Sequence, residues 1–496
     1  MAHYERKERM KKPNIIIIQT ESHDGRVLGC LGHLAMEDAT PNLDRLAAEG
    51  TVFENHYCNS PLCCPSRASL WSGRFPHKLG AWNNYCGLEP DAPTFVSRLQ
   101  DIGYQTAVFG RTDHISRGHS LLARVASWSR AAAIPRPVHG ERTAPRIIPE
   151  PVERVHENDW QTVDQSREWL RNAAANPDDQ PFVLYLGFHN AHHPFATSSR
   201  YLDLIPEDKV GLPPEDHLNQ PLLELQRLQK NWNHALDREG MLLRRRVYFA
   251  MIAEMDAMVG AVLEALADSG LDDNTWVVFT SDHGEMAGEH RQYIKLTHFE
   301  ASSRVPLIVR GPGAQPGKRI QTPASLIDIH PTLLDLAGAE IPDTCDGHSL
   351  LPELVGCPIM RPGRVFAEHH STTCPTGTFM LRRDDWKYMA YPGYPPLLFN
   401  LDEDPDELHD LFAAHPEMVQ ALDDELRLIV DYEAVDARAK AEDRACFAAW
   451  REEALREGIY EQQMAAVYSG AGHPPGQVQP WREEDEECIR QWLAGK

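Results

Sequence analysis

The sequence predicts an α/β fold in which a mixed, mostly parallel sheet is sandwiched by helices and followed by a smaller C-terminal antiparallel-sheet subdomain. Three observations predict it. Short apolar runs alternate with helical patterns through the first two-thirds of the chain, as in a parallel sheet covered on both faces. Four of those runs lead directly into polar, ionisable residues. After about Gly363 the pattern changes to short strand-like runs separated by turns.

Taken in order, Ile15–Ile18 is a buried-strand pattern. Thr40-Pro41 opens a helix with proline at its first position, and Gly50 closes it. Further buried strands are expected at Thr106–Phe109, Phe182–Gly187, Trp276–Thr280 and Leu307–Val309, with helices at Arg245–Ala267 and Ser325–Ala337. The antiparallel strands are expected at Val365–Glu368, Phe379–Arg382, Trp386–Ala390 and Leu397–Leu401. From about Glu417 the chain reads as helix, with a Pro/Gly-rich break at Gly470–Pro480. Expected units are thus 1–363, 364–415 and 416–496.

The 496 residues carry a formal charge of −24, which argues against a nucleic-acid partner. An anionic substrate would need local cations to overcome that field. No apolar run is long enough to span a bilayer, and Ile15–Ile18 is too short for the core of a secretion signal. The expectation is therefore a cytoplasmic protein without a membrane partner. The ten cysteines show neither disulfide-scaffold density nor paired zinc-type C-x-x-C elements. Nothing in the sequence speaks to oligomeric state.

Open parallel sheets bind ligands beyond the carboxyl ends of their strands. Here the first strand delivers Glu21, Ser22 and Asp24, the second Arg111, Asp113 and His114, the third His189, His192 and His193, and the fourth Asp282 and His283. Carboxylates and imidazoles converging on one edge suggest a metal site with cationic neighbours. Any one of these has a plain reading as a polar loop residue; four groups together do not. The strongest local signal is C-C-P-S-R, Cys63–Arg67, which reads as a turn entering a helix with Cys63 at its N-terminus. Three readings compete: a structural cysteine, a thiolate nucleophile of phosphatase type, and a modified nucleophile. The thiolate chemistry wants an arginine six positions on, where Ser69 stands.

C-x-P-S-R followed by a short helix and Gly-Arg resembles the signature of the type I sulfatases, alkaline-phosphatase-like enzymes whose signature cysteine is oxidised to formylglycine. S-D-H-G-E-M at Ser281–Met286, Lys295, R-V-P-L-I-V-R-G-P-G at Arg304–Gly313 and L-F-N-L-D-E-D-P-D-E-L at Leu398–Leu408 resemble further motifs of that family. Asn59–Gly73, Trp82–Asn84, Pro181–Gly187, Glu289–Lys295, Met380–Tyr388 and Ile489–Leu493 are similar to its glucuronate 2-sulfatase branch.

The resemblance implies that Cys63 becomes the nucleophile after transient contact with a formylglycine-generating enzyme. One geminal hydroxyl of the hydrated aldehyde would attack sulfur, and the other would expel sulfate. It implies a metal on Glu21, Cys63, Asp282 and His283, with Ca²⁺ preferred and Mg²⁺ second. Glu21-Ser22 departs from the family's usual first-strand pair, leaving Asp24 as another candidate ligand. Arg67 and Lys295 would bind sulfate oxygens, and His192 would protonate the leaving alcohol, with His193 its rival. Arg111, Asp113 and His114 stand where the family has G-K-x-H, and His217 matches a substrate-facing histidine. The implied substrate is a sulfated small molecule or oligosaccharide, namely a 2-O-sulfated glucuronate from glycosaminoglycan-type fragments. His119, His217, His370 and Arg382 are candidates for its carboxylate. Alternatives are a generic aryl or alkyl sulfatase, a phosphonate or phosphodiester hydrolase of the same superfamily, and a non-catalytic glycan-binding relative.

Overall fold

The four isoleucines at 15–18 lie in strand β1 (Asn14–Thr20), which is buried along its whole length. In this computed structural model, residues 11–118, 121–130, 132, 144–175, 180–229, 237–468 and 480–495 are described. The other strands of the central sheet are β2 (Thr51–Phe53), β3 (Gln105–Gly110), β4 (Phe182–Gly187), β5 (Thr275–Ser281), β6 (Leu307–Arg310) and β7 (Lys318–Ile320). Their order is β7-β2-β6-β5-β1-β4-β3. β1 pairs in parallel with both β4 and β5, and β4 with β3. β6 alone runs antiparallel, to β2 and β5. The apolar pattern of Leu307–Val309 predicts a buried strand but carries no sign of its direction.

Because successive side chains in a strand point to opposite faces, one β1 strand feeds two cores. Ile16 and Ile18 join the layer made by helices α1 (Pro41–Glu49), α4 (Glu157–Ala174) and α6 (Arg238–Asp268). Ile15 and Ile17 join the opposite layer, with α2 (Cys63–Ser72) and α7 (Ile329–Leu336). The second predicted strand differs from expectation. β3 is an edge strand, and Val108 within it is 38% exposed.

The antiparallel subdomain is the four-stranded meander β8 (Arg364–His369), β9 (Thr378–Arg383), β10 (Trp386–Tyr391) and β11 (Tyr394–Asn400). One face packs Val365, Ala367, Met380, Met389 and Phe399 against Tyr57, Met286 and Phe299 of the main body. The other carries Phe366, Leu381 and Leu398 beneath α8 (Pro416–Ile429). At the seam, the fully buried Lys387 pairs with Glu300 (2.9 Å) and Glu407 (2.8 Å). Arg382 lies in this seam, over the Tyr57 ring and 3.8 Å from Glu300, rather than among the residues of the metal edge.

The tail is helical as expected: α9 (Tyr432–Glu457), α10 (Tyr460–Tyr468) and α11 (Glu483–Leu493) follow α8. With α3 (Leu121–Ser129) they share an aromatic core of Trp128, Phe447, Trp450 and Tyr460. The break expected at Gly470–Pro480 lies outside the described residues, apart from Pro480, as does His119. Among the described residues, no helix is long and apolar enough to cross a membrane.

Two glycines set the spacing at the carboxyl edge. A Cβ on Gly187 would lie 1.8 Å from the Arg111 carbonyl oxygen, and one on Gly110 would lie 2.1 Å from that of Gly187. Backbone cannot yield as a flexible side chain can. Gly187→Ala is therefore expected to cost about 3 kcal/mol or more, read as a lowered urea midpoint with an unchanged m-value.

Candidate active site

The site begins with strand register. Thr20 pairs with Ser281 and Gln19 with Gly187, so β1, β5 and β4 end at nearly one level. The next residues are knit together. Asp282 N–H donates to the Thr20 carbonyl, Ser22 N–H to Asp282 Oδ1, and Ala191 N–H to the Glu21 carbonyl. Glu21 and Asp282 are thereby held side by side with no exposed surface.

The nucleophile segment enters from above. α2 starts at Cys63, with Leu62 as its N-cap and Pro65 in its first turn, where a missing N–H costs nothing. Ser66 Oγ donates to the Asp282 carbonyl (2.5 Å), tying the helix to the β5 end. Cys63 Sγ lies 3.2 Å from Glu21 Oε1 and 3.3 Å from His283 Nε2. Burial pushes the Cys63 thiol up, with Glu21 and Asp282 adding to the shift against Lys295. That direction is opposite to the one a thiolate nucleophile needs.

Glu21, Cys63, Asp282 and His283 each place one ligand atom within 4.8 Å of the others. Donors about 2.4 Å from a common centre have that spread, so the four can surround one calcium-sized ion. The imidazole fits as well. His283 Nδ1 donates to the Gly284 carbonyl, which leaves the Nε2 lone pair on the Cys63 side. Burial lowers the His283 pKa to about 4, so the ring is neutral. Ser22 Oγ is buried without a hydrogen-bond partner beside this group. Asp24 does not join it: its carboxylate is taken by Arg26 (2.7 Å), and its N–H bonds Tyr248. A second group, Glu21, His189 and His192, shares the Glu21 carboxylate.

Two arginines balance the carboxylates. Arg67, fully buried, donates to Asp282 Oδ2 (2.9 Å) and stands 3.6 Å from Glu21. Its Nη1 also donates to the Arg111 carbonyl, Tyr185 OH and Gln19 Oε1. Arg67 thus lies against both carboxylates, and ion pairing of this kind is what makes their burial tolerable. Arg111 is half-buried, with Nε 2.7 Å from Glu21 Oε2 and Nη2 3.0 Å from Asp113. Burial raises the Glu21 carboxyl, but His192, His189, Arg67 and Arg111 together hold it well below the usual range.

Lys295 Nζ donates to His192 Nε2 (2.7 Å), while His192 Nδ1 donates to the His193 carbonyl (2.6 Å). Burial, then the Lys295 charge, lower the His192 pKa well below its ordinary value. His193 stacks on His192, with ring centres 4.0 Å apart. Lys295 sits on a strained turn in which Ala287, His290, Arg291, Ile294 and Leu296 all have positive φ. Glu285 Oε1 clasps that turn by accepting from the N–H groups of Ala287 and Ile294.

Three predicted substrate residues are not among the candidate metal ligands. His114 is stacked on Trp71 (3.8 Å, 12°) and packs into the core, because its imidazole is flat against an indole. His370 is 1% exposed, bonds Glu368 (2.8 Å) and lies edge-on to Trp82. His217 is exposed on the loop before α5 (Pro221–Gln229), next to Asp216, which pairs with Arg227. Conversely, His189 Nδ1 lies 3.2 Å from Glu21 Oε2. The sequence places three histidines after this strand but does not rank this one. Gln19 and Tyr185, bonded to each other and to Arg67, were hidden inside apolar strands.

The chain matches the sulfatase family model over residues 13–339 and the model described as N-sulphoglucosamine sulphohydrolase, C-terminal, over 288–431. It is 36% identical to the arylsulfatase K of Canis lupus familiaris, covering 97% of this chain and 93% of that protein. It is 34% identical to the arylsulfatase K of Homo sapiens, covering 99% and 94%. A solved 2-O GAG sulfatase superposes with a TM-score of 0.67 at 25% identity, over 88% of this chain and 94% of the other. A phosphonate monoester hydrolase of Agrobacterium radiobacter shares the fold, with a TM-score of 0.67 at 24% identity and coverage of 86% and 96%.

Replacing Asp282 by Asn removes a formal charge from the ligand group and unbalances Arg67. Titration calorimetry with Ca²⁺ is expected to show affinity lowered at least about tenfold; unchanged affinity would place the ion elsewhere.

Proposed function

The chain belongs to the sulfatase family and is a sulfuric ester hydrolase, and on that premise we propose that it removes 2-O-sulfate from glucuronate through a nucleophile made from Cys63. The observation that carries the reading is the position of Cys63 at the start of α2, its sulfur between Glu21 and His283. As formylglycine, residue 63 would supply a hydroxyl able to attack sulfur and a second able to expel the bound sulfate. Burial raises the pKa of the unmodified thiol, which works against direct attack by a thiolate. A divalent cation held by Glu21, Asp282, His283 and residue 63 would polarise the sulfate oxygens and lower the pKa of the attacking hydroxyl. Ca²⁺ fits these mostly hard ligands better than Mg²⁺, which demands a tighter octahedron.

The chain's own residues divide the remaining work. Arg67 pairs with Asp282 and stands beside Glu21, holding both carboxylates in place. Arg111, partly exposed, lies between Glu21 and Asp113, and a guanidinium there suits a sulfate or carboxylate oxygen. His192 holds its Nδ1 proton on the His193 carbonyl and receives a hydrogen bond at Nε2 from Lys295. A proton passed from Lys295 to Nε2 is then available to the departing alcohol. Arg111, Asp113 and His189 form the accessible rim of this group, whereas His370 and Arg382 are enclosed. The carboxylate of a uronate is therefore assigned to the Arg111 side.

Support for the sugar comes from similarity to arylsulfatase K along nearly the whole chain and from the 2-O GAG sulfatase. We expect short oligosaccharides attacked from an end. In a panel of disaccharides, 2-O-sulfoglucuronate should exceed 2-O-sulfoiduronate, 6-O-sulfoglucosamine and nitrophenyl sulfate in kcat/KM by about tenfold or more. Preference for another sulfate overturns the sugar assignment. Preference for a matched phosphonate ester overturns the sulfate assignment. Cys63→Ala should abolish turnover with the fold intact, while Cys64→Ala keeps most of it; equal loss in both would mean that the reacting cysteine is misassigned.

A further inference from the structure

The tail helix α9 grips the loop that borders the nucleophile. Three acidic residues along it bond to segments outside the tail. Asp443 Oδ1 accepts from Asn83 Nδ2 (3.0 Å), and its Oδ2 accepts from Arg130 Nε (2.7 Å). Glu442 accepts from the indole nitrogen of Trp82 (2.5 Å), and the guanidinium of Arg438 lies 5.2 Å over that ring. Two turns earlier, Asp436 accepts from Gly377 N–H and Thr376 Oγ1, closing the grip on the subdomain side. Trp82, Asn83 and Asp443 are all at most 2% exposed. These bonds are shielded from water and specify one arrangement.

From Asn83 the arrangement runs to the nucleophile. Asn83 Oδ1 accepts from the N–H groups of Tyr85 and Cys86 and so folds the turn that carries Asn84. Asn84 Oδ1 in turn accepts from the N–H of Cys64 (3.1 Å). The first turn of α2 needs such a partner. Its N-cap, Leu62, has no side chain able to accept, and Pro65 has no N–H. The cap of this helix thus comes from a remote loop, one residue from Cys63.

We infer that Asn84 is a positioning residue for the reacting group at 63, and that the C-terminal tail, through Asp443 and Asn83, is part of the catalytic apparatus. The inference rests on the sulfatase reading of Cys63. Asn84 acts through the Cys64 amide: it fixes the direction in which the side chain at 63 leaves the helix, toward Glu21 and His283. Its loss should therefore slow the chemical step rather than weaken substrate binding.

The test uses the full chain, with nitrophenyl sulfate as probe and turnover normalised to the fraction of residue 63 converted. Asn84→Ala is expected to lower kcat about 100-fold, the cost of a misplaced reacting group, with KM within about threefold and Tm within about 3 °C. Asn84→Asp, which keeps an acceptor oxygen, should restore most of kcat. Asp443→Ala should lower kcat about tenfold by loosening the turn, and Asp443→Asn should recover it. Because Asp443→Ala also strands Arg130, Asn83→Ala serves as a second variant that cuts the same link and leaves the ion pair intact. A crystal structure of Asn84→Ala should show the side chain at 63 displaced by more than about 0.5 Å. Wild-type kcat in Asn84→Ala, or a loss of kcat matched by a collapse in Tm, overturns the inference. A wild-type protein that turns over no sulfate ester would instead overturn the sulfatase reading. The displacement at residue 63 would then decide the positioning role by itself.

Discussion

Two carboxylates, Glu21 and Asp282, sit side by side without access to water, and the rest of the site is arranged around that fact. Buried like charges repel, and each loses hydration worth several kcal/mol. Arg67 lies against both, and Arg111 reaches Glu21 from the rim. The structure therefore commits two cations to offsetting the charge of the candidate metal ligands. In the same way, burial works against the Lys295 charge, and the carboxylates of Glu21 and Asp282 hold it in place. A net charge of −24 over the chain makes this local concentration of positive charge a built feature rather than a reflection of composition.

Backbone geometry supplies the precision that such a balance requires. Parallel pairing of β1 with β4 and β5 brings three strand ends to one level, and hydrogen bonds between the residues just beyond them remove the remaining freedom. Gly187 and Gly110 let β3 approach closely enough for Arg111 to reach Glu21. On the opposite side, the positive-φ turn clasped by Glu285 presents Lys295 to His192. The subdomain and tail close around this edge, and their grip on Trp82–Asn84 reaches as far as the first turn of α2.

Much of this was legible in the sequence, for identifiable reasons. Buried strands such as Ile15–Ile18 announce themselves as short apolar runs, and the polar residues after them stand at the carboxyl edge because a parallel sheet puts them there. Local motifs carry Cys63, Asp282 and His283 because strand-to-loop and loop-to-helix junctions preserve spacing. What was not legible is what depends on side-chain direction or on distant packing. His114 and His370 follow strands just as the site residues do, yet one ring is claimed by Trp71 and the other by Glu368 and Trp82. The task of Arg67 beneath the carboxylates, and the contact from Tyr185 within an apolar strand, depend on which way each side chain turns. The short strands Thr51–Phe53 and Lys318–Ile320 are too brief to carry a periodic signal. Asn84 meets Cys64 only because the chain folds back over 20 residues.

The central claim is that residue 63 reacts as something other than a thiol. It is tested most directly by mass spectrometry of the peptide spanning Cys63, on preparations whose sulfate-ester turnover is measured in parallel. The account predicts an aldehyde at position 63 and turnover that rises in proportion to the aldehyde fraction. Full turnover by protein in which residue 63 is entirely thiol would contradict it.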